Sequence, residues 1–531
     1  MTEPTPSQEQ QRKSYEELEP EYLAKLEAEL TAYEADLEAK GQEKTKSGRK
    51  KKEKEIRARL LKEQKASKAA DKAQATTKAE GFVKVTNPIP DAKRIDLAEC
   101  PKNLGQPIKV EGWIKHVRRQ GKNLIFIDIR RRMETLQCVI TGQLAKTEEA
   151  SQLTRECCVR LFGTLHEEKR APGEVEMSVD FIEIVGPSPV DLEDKLNRDS
   201  NPEQRMNQRH LDLRSDDMGC LFSLRAKMMA GFRTFFQQRG FAEVTPPTIV
   251  KNSCEGGSKM FPVKYYEEEA FLTESSQLYL ETMLATLDSV YCVLPSYRAE
   301  KSLTRRHLAE YTHMEVEMAF YDFEDLLKFL EDMLVFVTNY CATEAKVELA
   351  KLNPGFKPLT GSFRRMSYAE QIQWLKDYNK QHPEDPFINA ETGKEYEYGD
   401  DVPEKPERCM VDTIGEPILL HSFPKELKAF YMKPSATNPR ETESVDVLIP
   451  TVGEIVGAST RIDDYQELMD RYKELGMDTE SYYWYNDLRK YGSCPHAGFG
   501  LGVERLLCWI GHRDHIRDAC MFPRYMGRIT P

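Results

Sequence analysis

The sequence predicts an α+β protein with three parts: a charged helical extension, a small β-barrel and a larger domain built on an antiparallel sheet. Three observations support this fold class. Acidic and basic residues are segregated in the first 68 residues, five short apolar runs follow between residues 104 and 186, and two strand-like runs flank an arginine-rich loop between Ser296 and Glu317. With 531 residues, 40% of them hydrophobic, the chain is long enough for two or three domains with cores of their own.

Residues 1–80 are predicted to form a charged extension that is helical or disordered. Twelve acidic and four basic side chains occupy residues 1–43, whereas twelve basic and three acidic side chains occupy residues 44–68. Apolar residues at helical spacing predict a face that pairs with a partner helix or folds back on its own domain: Leu23, Leu26, Leu30, Tyr33 and Leu37. The basic run predicts a tether for RNA phosphates, with a solvated tail as the alternative.

Residues 100–186 are predicted to form a small Greek-key barrel of the OB type. Glycine or charged turns separate five apolar or alternating runs, which are Ile108–Ile114, Leu124–Ile129, Leu136–Ile140, Val159–Thr164 and Val175–Val185. Such barrels bind single-stranded loops by stacking bases on aromatic side chains. The barrel is therefore a candidate nucleic-acid module.

The segment 187–214, rich in proline, aspartate and asparagine, indicates a hinge before a larger domain over residues 215–531. That domain opens with a predicted helix that ends at Gly240, followed by a strand at Phe241–Val244. One face of the helix is apolar, with Leu221, Leu224, Met228, Phe232 and Phe235. The stretch around residues 345–440 is predicted to be an insertion, to which the sequence assigns no task.

Positive charge is concentrated in the loop of the hairpin between Ser296 and Glu317. The run Val290–Val293 predicts a strand that delivers Arg298 on a rigid platform. Downstream, apolar and acidic residues alternate as in a half-buried strand, from Met314 through Glu315, Val316 and Glu317 to Met318. Guanidinium groups match phosphate or carboxylate oxygens, and the loop adds mobile charge at Arg305, Arg306 and His307. The hairpin predicts a polyanion site, with a solvated basic hairpin as the alternative.

A second candidate phosphate site is the glycine-rich tract that ends in Arg505. Gly498, Gly500 and Gly502 predict a strand whose backbone a ligand approaches closely, and Arg505 falls in the first turn of the helix that follows. A dinucleotide-binding fold would need glycine at position 503, where the chain has valine, and there is no GxxxxGK[ST] phosphate loop. Arg298 and Arg505 together are therefore expected to hold two ends of a triphosphate.

Three segments in order resemble the signature motifs of one enzyme family. Motif one resembles Gly240–Pro247, motif two resembles Tyr297–Glu300 with the loop Arg306–Leu308, and motif three resembles Gly498–Arg505. On these residues the chain resembles the class II aminoacyl-tRNA synthetases of the aspartyl/asparaginyl/lysyl subgroup, most closely their eukaryotic cytoplasmic asparaginyl branch. The resemblance covers roughly residues 100–531.

The resemblance implies a class II catalytic domain that ligates L-asparagine to its tRNA through an asparaginyl-adenylate, with ATP and Mg²⁺. It assigns catalytic roles to Arg298, Glu454 and Arg505. The implied ATP contacts are Arg298, Glu300, Arg306, His307, Leu308, Glu454, Gly502, Val503, Glu504 and Arg505. The implied Mg²⁺ ligands are Asp446 and Glu454, on what are predicted to be successive strand ends, with salt bridges to motif-two arginines as the alternative.

The amino-acid pocket implied by the resemblance favours an uncharged side chain. Its contacts would be Glu255, Ser276, Gln277, Arg298, Gly457 and Arg461. Aspartyl members carry a lysine at the position of Leu280, and without that cation a buried substrate carboxylate is costly. Arg461 would donate to the side-chain oxygen of asparagine, and Glu300 is the candidate acceptor of its amide hydrogens.

In the barrel, the resemblance implies that Phe126 stacks on the central anticodon uridine and that Gln137 reads it. Arg118, Arg119 and Arg130–Arg132 would contact phosphates. A core position for Phe126 is the alternative, because Ile125 and Ile127 leave its face ambiguous. The tRNA acceptor end would meet the motif-two loop. The resemblance also implies a homodimer through the helix that ends at Gly240, with simple core packing of that helix as the alternative.

Composition narrows the remaining function classes. No apolar run reaches membrane-spanning length, and the acidic amino terminus resembles neither a secretory signal nor a mitochondrial presequence. Twelve cysteines without a CxxC pair or Cys/His ligand spacing indicate a reduced compartment and no structural zinc. We therefore expect a cytoplasmic protein with no membrane association. Two alternatives stay open: an aspartyl-tRNA synthetase, and a non-catalytic paralogue that binds tRNA.

Overall fold

The computed structural model of the chain describes residues 20–40, 45, 48–61, 64, 82–197, 199–254, 260–299 and 304–530. The chain divides into two units, Met1–Asp199 and Ser200–Pro531. Within the described ranges, no helix combines the length and the apolar character needed to cross a bilayer. All twelve cysteines are free thiols.

The extension folds into a pair of helices, α1 (Pro20–Ala39) and α2 (residues 48–61). Their contact is apolar and joins Tyr22, Leu26 and Leu30 of α1 to Ile56 and Leu60 of α2. Acidic side chains of α1 also pair with basic side chains of α2, as in Glu34 with Arg49 at 3.0 Å. The fold-back alternative is therefore the one observed, although Leu23, predicted on the apolar face, is 40% exposed.

The first unit contains the predicted five-stranded barrel. Its strands are β1 (Lys93–Arg94), β2 (Pro107–Arg119), β3 (Leu124–Arg131), β4 (Glu134–Thr141), β5 (Cys158–Glu167) and β6 (Val175–Gly186), with short helices α3 (Glu148–Ser151) and α4 (Leu192–Lys195). The order β2-β3-β4-β6-β5 closes through pairing of β5 with β2, and only β4 pairs with β6 in parallel. All five predicted strands are confirmed, and β1 adds a short parallel edge.

Alternation along each strand places branched apolar side chains inside the barrel. Ile125, Ile127 and Ile129 of β3 are buried in the core cluster, whereas Phe126 lies between two of them in the sequence and stays outside that core. Successive side chains of a strand point to opposite faces, so Phe126 belongs to the outer surface. The alternative that placed Phe126 in the core is wrong.

An eight-stranded sheet organises the second unit. Its order is β13-β14-β15-β16-β17-β12-β11-β7, antiparallel from β14 to β11. The strands of this unit are β7 (Ala242–Glu243), β8 (Ile249–Val250), β9 (Pro262–Tyr265), β10 (Glu268–Leu272), β11 (Ser289–Tyr297), β12 (Glu310–Ala319), β13 (Arg364–Ser367), β14 (Ile418–His421), β15 (Ser444–Ile449), β16 (Gly453–Thr460) and β17 (His496–Gly502). The remaining three, β8, β10 and β9, form a separate small sheet.

Helices cover this sheet and connect its strands. They are α5 (Pro202–Asn207), α6 (Arg209–Asp212), α7 (Asp216–Gln238), α8 (Gln277–Glu281), α9 (Leu284–Leu287), α10 (Phe323–Glu344), α11 (Lys346–Leu352), α12 (Tyr368–Gln381), α13 (Glu404–Ile414), α14 (Tyr465–Leu475), α15 (Tyr483–Lys490) and α16 (Val503–Ile510). The predicted apolar face of α7 is buried inside its own chain, where Phe235 meets Phe329 of α10 with ring centroids 5.4 Å apart. These side chains form core packing, so they are not available to a partner copy.

The second strand of the hairpin is more deeply buried than the sequence predicted. The strand β12 is buried on both faces from His313 to Ala319, so the prediction of a half-buried strand is wrong for that stretch. Its carboxylates Glu315 and Glu317 lie inside the protein, only 3% and 1% exposed.

The stretch around residues 345–440 contributes β13 and β14, which extend the main sheet at one edge.

Arg209 connects the start of the second unit to its carboxyl end. The side chain is 1% exposed and donates to the backbone carbonyls of Asp518, Cys520 and Met521 at 2.9, 2.6 and 3.0 Å. It also pairs with Asp212 at 2.9 Å. A planar guanidinium can satisfy four acceptors at once, which no other side chain can do.

Arg209→Ala should lower the free energy of unfolding of the second unit by about 3–5 kcal/mol, because buried acceptors lose their donor. Scanning calorimetry would measure the change. Arg233→Ala removes a surface pair with Glu243 of similar length, 3.1 Å, and should cost less than about 1 kcal/mol. Equal effects of the two substitutions would contradict a special role for Arg209.

Candidate active site

A cavity of about 460 Å³ opens over the middle of the eight-stranded sheet. Its walls come from β12, β15, β16 and β17, from the first turn of α16, and from loops at residues 304–308 and 427–432. The three residues to which the sequence assigned catalytic roles all line it: Arg298, Glu454 and Arg505. Other predicted site residues that line it are Gln277, Arg306, His307, Leu308, Asp446, Gly457, Arg461, Gly502 and Glu504.

At one end of the cavity, Glu454 joins arginines from two motifs. Arg505 Nη1 donates to Glu454 Oε2 at 3.1 Å, and Arg306 Nη2 lies 3.9 Å from the same oxygen. Burial acts to raise the pKa of Glu454, but Arg505, Arg306 and Lys428 outweigh it and hold the pKa at about 2. Glu454 is therefore ionised at neutral pH, and its nearer partner is Arg505 of motif three rather than Arg306 of motif two.

Asp446 and Glu454 face a common gap beside Gly457. A Cβ at position 457 would lie 3.6 Å from Asp446 Oδ1 and 3.9 Å from Glu454 Oε1. Lys428 Nζ donates to Asp446 Oδ2 at 2.8 Å, and burial raises the pKa of Asp446 against that cation. The predicted placement on successive strand ends is wrong, because Asp446 is the third residue of β15 and Glu454 is the second of β16. The antiparallel pairing brings the two carboxylates together.

The opposite end of the cavity is built around a buried ion pair. Arg461 is 2% exposed, and its Nη2 lies 2.5 Å from Glu317 Oε1 while its Nη1 donates to Ser459 at 2.6 Å. Burial raises the pKa of Glu317 to about 7, and Arg461 opposes that rise. Gln277 lines the same end and donates to Glu281 at 3.1 Å. Leu280, one turn of α8 away, is fully buried.

The glycines of motif three make room for neighbouring side chains. A Cβ at Gly498 would overlap the carboxylate of Glu317, and a Cβ at Gly500 would overlap the ring of His313. Both side chains come from β12, the strand that pairs with β17. Gly500 and Gly502 line the cavity, as expected for a backbone that a ligand approaches closely. Gly498 instead leaves room for the buried carboxylate of Glu317.

Four predicted site residues either do not line the cavity or lie outside the described residues. Glu255 and Glu300 are outside the described residues. Ser276 donates its backbone N–H to Glu315 at 2.9 Å, and its neighbour Ser275 lines the cavity in its place. Val503 is fully buried at the start of α16 rather than part of the cavity wall.

The prediction of mobile charge in the motif-two loop is wrong for Arg306. Its side chain is only 13% exposed and is surrounded by carboxylates. The solvated basic hairpin is therefore excluded at this residue. The pairing could not be anticipated because two of the carboxylates, Glu404 and Glu407, come from the stretch to which the sequence assigned no task.

The sequence also missed several lining residues, namely Ser275, Tyr311, His313, Lys428 and Tyr431. Nδ1 of His313 forms a hydrogen bond with Ser296 Oγ at 3.0 Å. Burial lowers the pKa of His313, and the nearby Arg298 and Arg505 lower it further. The only sign of His313 in the sequence was that a histidine lies within an alternating strand. Lys428 belongs to none of the sequence motifs.

A second candidate site covers the outer face of the barrel. The guanidinium of Arg118 lies 5.9 Å from the ring centre of Phe126 and donates to Gln137 Oε1 at 3.0 Å. Gln137 in turn donates to Glu176 at 2.5 Å. Arg119 instead donates to backbone carbonyls near residue 150, and Arg130 pairs with Glu156, so both are engaged within the barrel.

Comparison with known proteins places both units of the chain in known families. The family described as "tRNA synthetases class II (D, K and N)" matches residues 201–526, and the family described as "OB-fold nucleic acid binding domain" matches residues 108–185. The chain belongs to the class II tRNA synthetases. The predicted OB-type barrel and class II catalytic fold are thereby confirmed.

Individual relatives lie in the asparaginyl branch of this family. "Asparagine--tRNA ligase, cytoplasmic" of Mus musculus is 46% identical over 448 residues, covering 83% of this chain and 79% of that protein. The Saccharomyces cerevisiae protein of the same name is 43% identical over 482 residues, covering 88% and 85%. The solved Entamoeba histolytica asparaginyl-tRNA synthetase with asparaginyl-adenylate is 42% identical, with a TM-score of 0.77 and coverage of 83% and 100%. The predicted resemblance to the eukaryotic asparaginyl synthetases is confirmed.

Gly498→Ala should reduce the free energy of unfolding of the catalytic domain by about 1–3 kcal/mol, because the added Cβ overpacks against Glu317. Gly355→Ala is the control, since among the described residues, apart from its chain neighbours, none has an atom within 4 Å of a Cβ there. Calorimetry of both variants would measure the difference. A Gly498→Ala variant as stable as the control would contradict the packing role of this glycine.

Proposed function

We propose that this class II synthetase ligates L-asparagine to its tRNA in the cytoplasm, through an asparaginyl-adenylate formed from ATP. The observation that carries the proposal is the convergence of Arg298, Glu454 and Arg505 on one cavity, in a chain whose relatives are named asparagine--tRNA ligases. An aspartyl enzyme is less well supported, since the solved Entamoeba histolytica aspartyl tRNA synthetase is 22% identical and shares the fold alone.

The first step needs no protein base. The α-carboxylate of asparagine is ionised at neutral pH, attacks the α-phosphorus of ATP in line, and displaces pyrophosphate. In the second step, a terminal ribose hydroxyl of tRNA attacks the adenylate carbonyl, the proton of that hydroxyl is lost, and AMP leaves. Catalysis is then a matter of positioning and of charge placed where it develops.

The arginines of the cavity are assigned to the phosphates. Arg298 would contact the α-phosphoryl oxygens, and Arg505, Arg306 and His307 would contact the outer phosphates. Leu308, Gly502 and Glu504 would contribute walls to the nucleotide site, and Val503 would act only by supporting α16. A low-dielectric cavity strengthens each of these interactions relative to water.

Asp446 and Glu454 are suited to hold Mg²⁺. Two hard carboxylates share a gap that glycine keeps open, and Mg²⁺ usually takes one or two carboxylates together with substrate phosphates and water. Among the described residues, no group of three or more potential ligands is gathered, which fits a site completed by substrate. When bound, the ion would neutralise charge on the phosphates. Lys428 holds Asp446 in place.

The amino-acid end is suited to a neutral amide. Arg461, oriented by Glu317 and Ser459, would donate to the side-chain oxygen of asparagine, and Gln277 and Gly457 would line the pocket. Leu280 contributes no cation, so an aspartate carboxylate would lack the compensation it needs after desolvation. Glu255 and Glu300 remain assigned to the substrate α-amino group and amide.

The barrel would bind the anticodon loop, with Phe126 stacking on the central base and Gln137 reading its edge. The acceptor end would meet the motif-two loop, and the basic helix α2 would add phosphate contacts. We also propose a homodimer. Its contact would involve surfaces other than the apolar face of α7, which is already buried.

Pyrophosphate exchange with asparagine, aspartate and lysine in parallel tests the substrate assignment. Asparagine should support exchange with kcat/KM at least about a hundredfold above aspartate, because an unpaired buried carboxylate costs several kcal/mol. Exchange with aspartate alone would establish the aspartyl alternative. Anticodon binding without any exchange would establish the non-catalytic one.

Arg298→Ala should reduce the rate of adenylate formation by at least about a hundredfold, because a preorganised donor to the α-phosphoryl group is lost. Affinity for tRNA, measured by filter binding, should change little, since Arg298 is assigned to ATP and the anticodon loop is assigned to the barrel. Arg233→Ala, at the surface pair with Glu243, is the matched arginine control. Near-normal exchange by Arg298→Ala would refute the assignment.

A further inference from the structure

Arg306, in the motif-two loop, is held by three carboxylates. Its Nη1 donates to Glu407 Oε1 at 3.2 Å, its Nε lies 3.7 Å from Glu404, and its Nη2 lies 3.9 Å from Glu454. Only the contact with Glu407 is short enough to be a hydrogen bond. Glu407 therefore sets the orientation of the guanidinium more strongly than its two neighbours do.

Glu407 reaches this place from α13, far from any of the three motifs. The helix lies in the stretch around residues 345–440 and packs beside β15 and β16. Glu407 is only 8% exposed, so water competes little for its carboxylate, and the surrounding fold determines which side chain it contacts. A buried carboxylate beside the two acidic residues Asp446 and Glu454 is costly, and such a residue needs the arginine to offset that cost.

The backbone of β16 is shaped to admit the pair. Gly453 has φ +83°, a conformation that L side chains rarely adopt. A Cβ there would come within 2.8 Å of Arg306 Nη1 and 3.5 Å of Glu407 Oε1. The space beside the glycine is thus occupied by this ion pair.

We propose that Glu407 is a positioning residue, which holds the Arg306 guanidinium at the phosphate end of the cavity so that ATP meets it already oriented. The inference rests on the proposed function, because it takes Arg306 to be an ATP contact. Glu407 itself is not among the residues that line the cavity. Its effect passes through the rotamer of Arg306, whose long side chain would otherwise lose conformational entropy when ATP binds.

The direction in which the KM for ATP changes distinguishes this positioning role from a purely electrostatic effect of the Glu407 charge. Removing a negative charge near phosphates should by itself favour ATP, and so lower its KM. Loss of orientation should instead raise the KM for ATP. Glu407→Gln keeps the shape and removes the charge, whereas Glu407→Asp keeps the charge and withdraws it by one methylene, so the two variants together cover both explanations.

ATP–pyrophosphate exchange by the full-length enzyme would test the proposal. We expect Glu407→Gln and Glu407→Asp each to raise the KM for ATP about five- to tenfold, with the KM for asparagine within about twofold of the original value. Glu416→Gln is the control, because it removes a surface pair with Arg364 of similar length, 3.3 Å, away from the cavity. Melting temperatures would verify that each variant is folded.

A double-mutant cycle completes the test. In an Arg306→Ala background, which should itself raise the KM for ATP, Glu407→Gln should have no further effect, since the two residues act as one unit. An unchanged or lowered KM for ATP in both single variants of Glu407 would overturn the proposal, as would full additivity with Arg306→Ala. An unchanged KM in Arg306→Ala alone would instead remove the ATP assignment of Arg306, and this inference with it.

Discussion

The active-site architecture depends on placing ionisable side chains on a strand that is buried along most of its length. Strand β12 carries His313, Glu315 and Glu317 in a stretch almost without solvent contact. A buried charge is tolerated only where partners replace the lost water. Arg461 supplies that replacement for Glu317, and the hydroxyl of Ser275 with the backbone N–H of Ser276 supplies it for Glu315. The glycines of β17 provide the volume that these side chains need.

From this constraint follows the division of the cavity into two ends. At the end of the cavity that holds Glu454, this carboxylate is surrounded by Arg505, Arg306 and Lys428, and its low pKa reflects their summed field. At the other end, Arg461 is paired with Glu317 and held by Ser459, so its positive charge is largely balanced within the protein. The first environment suits a polyanion and the second suits an uncharged amide. Side chains held by several protein contacts are the kind of preorganised charge on which catalysis depends.

The barrel uses strand alternation to separate stability from recognition. Its inward residues form a closed apolar core, while the outward residues of the same strands hold Arg118, Gln137 and Glu176 in a hydrogen-bonded row. A one-residue shift of register would exchange the two sets. In the proposed anticodon site, these side chains would therefore owe their positions to the core beneath them, as expected for side chains mounted on strands rather than on loops.

The sequence by itself determined the five barrel strands, the α+β class, the two arginine-bearing motifs and the absence of a cation at Leu280, because each depends on local pattern or on residue identity. It could not determine that β12 is buried on both faces, that Phe126 lies outside the core, or that Gly498 serves Glu317. Those facts depend on which strand becomes the neighbour of which. The partners of Arg306 and Asp446 were equally inaccessible, since Glu407 and Lys428 are distant in the chain and carry no motif. Tertiary packing, which sums many weak contacts between separate segments, decided them.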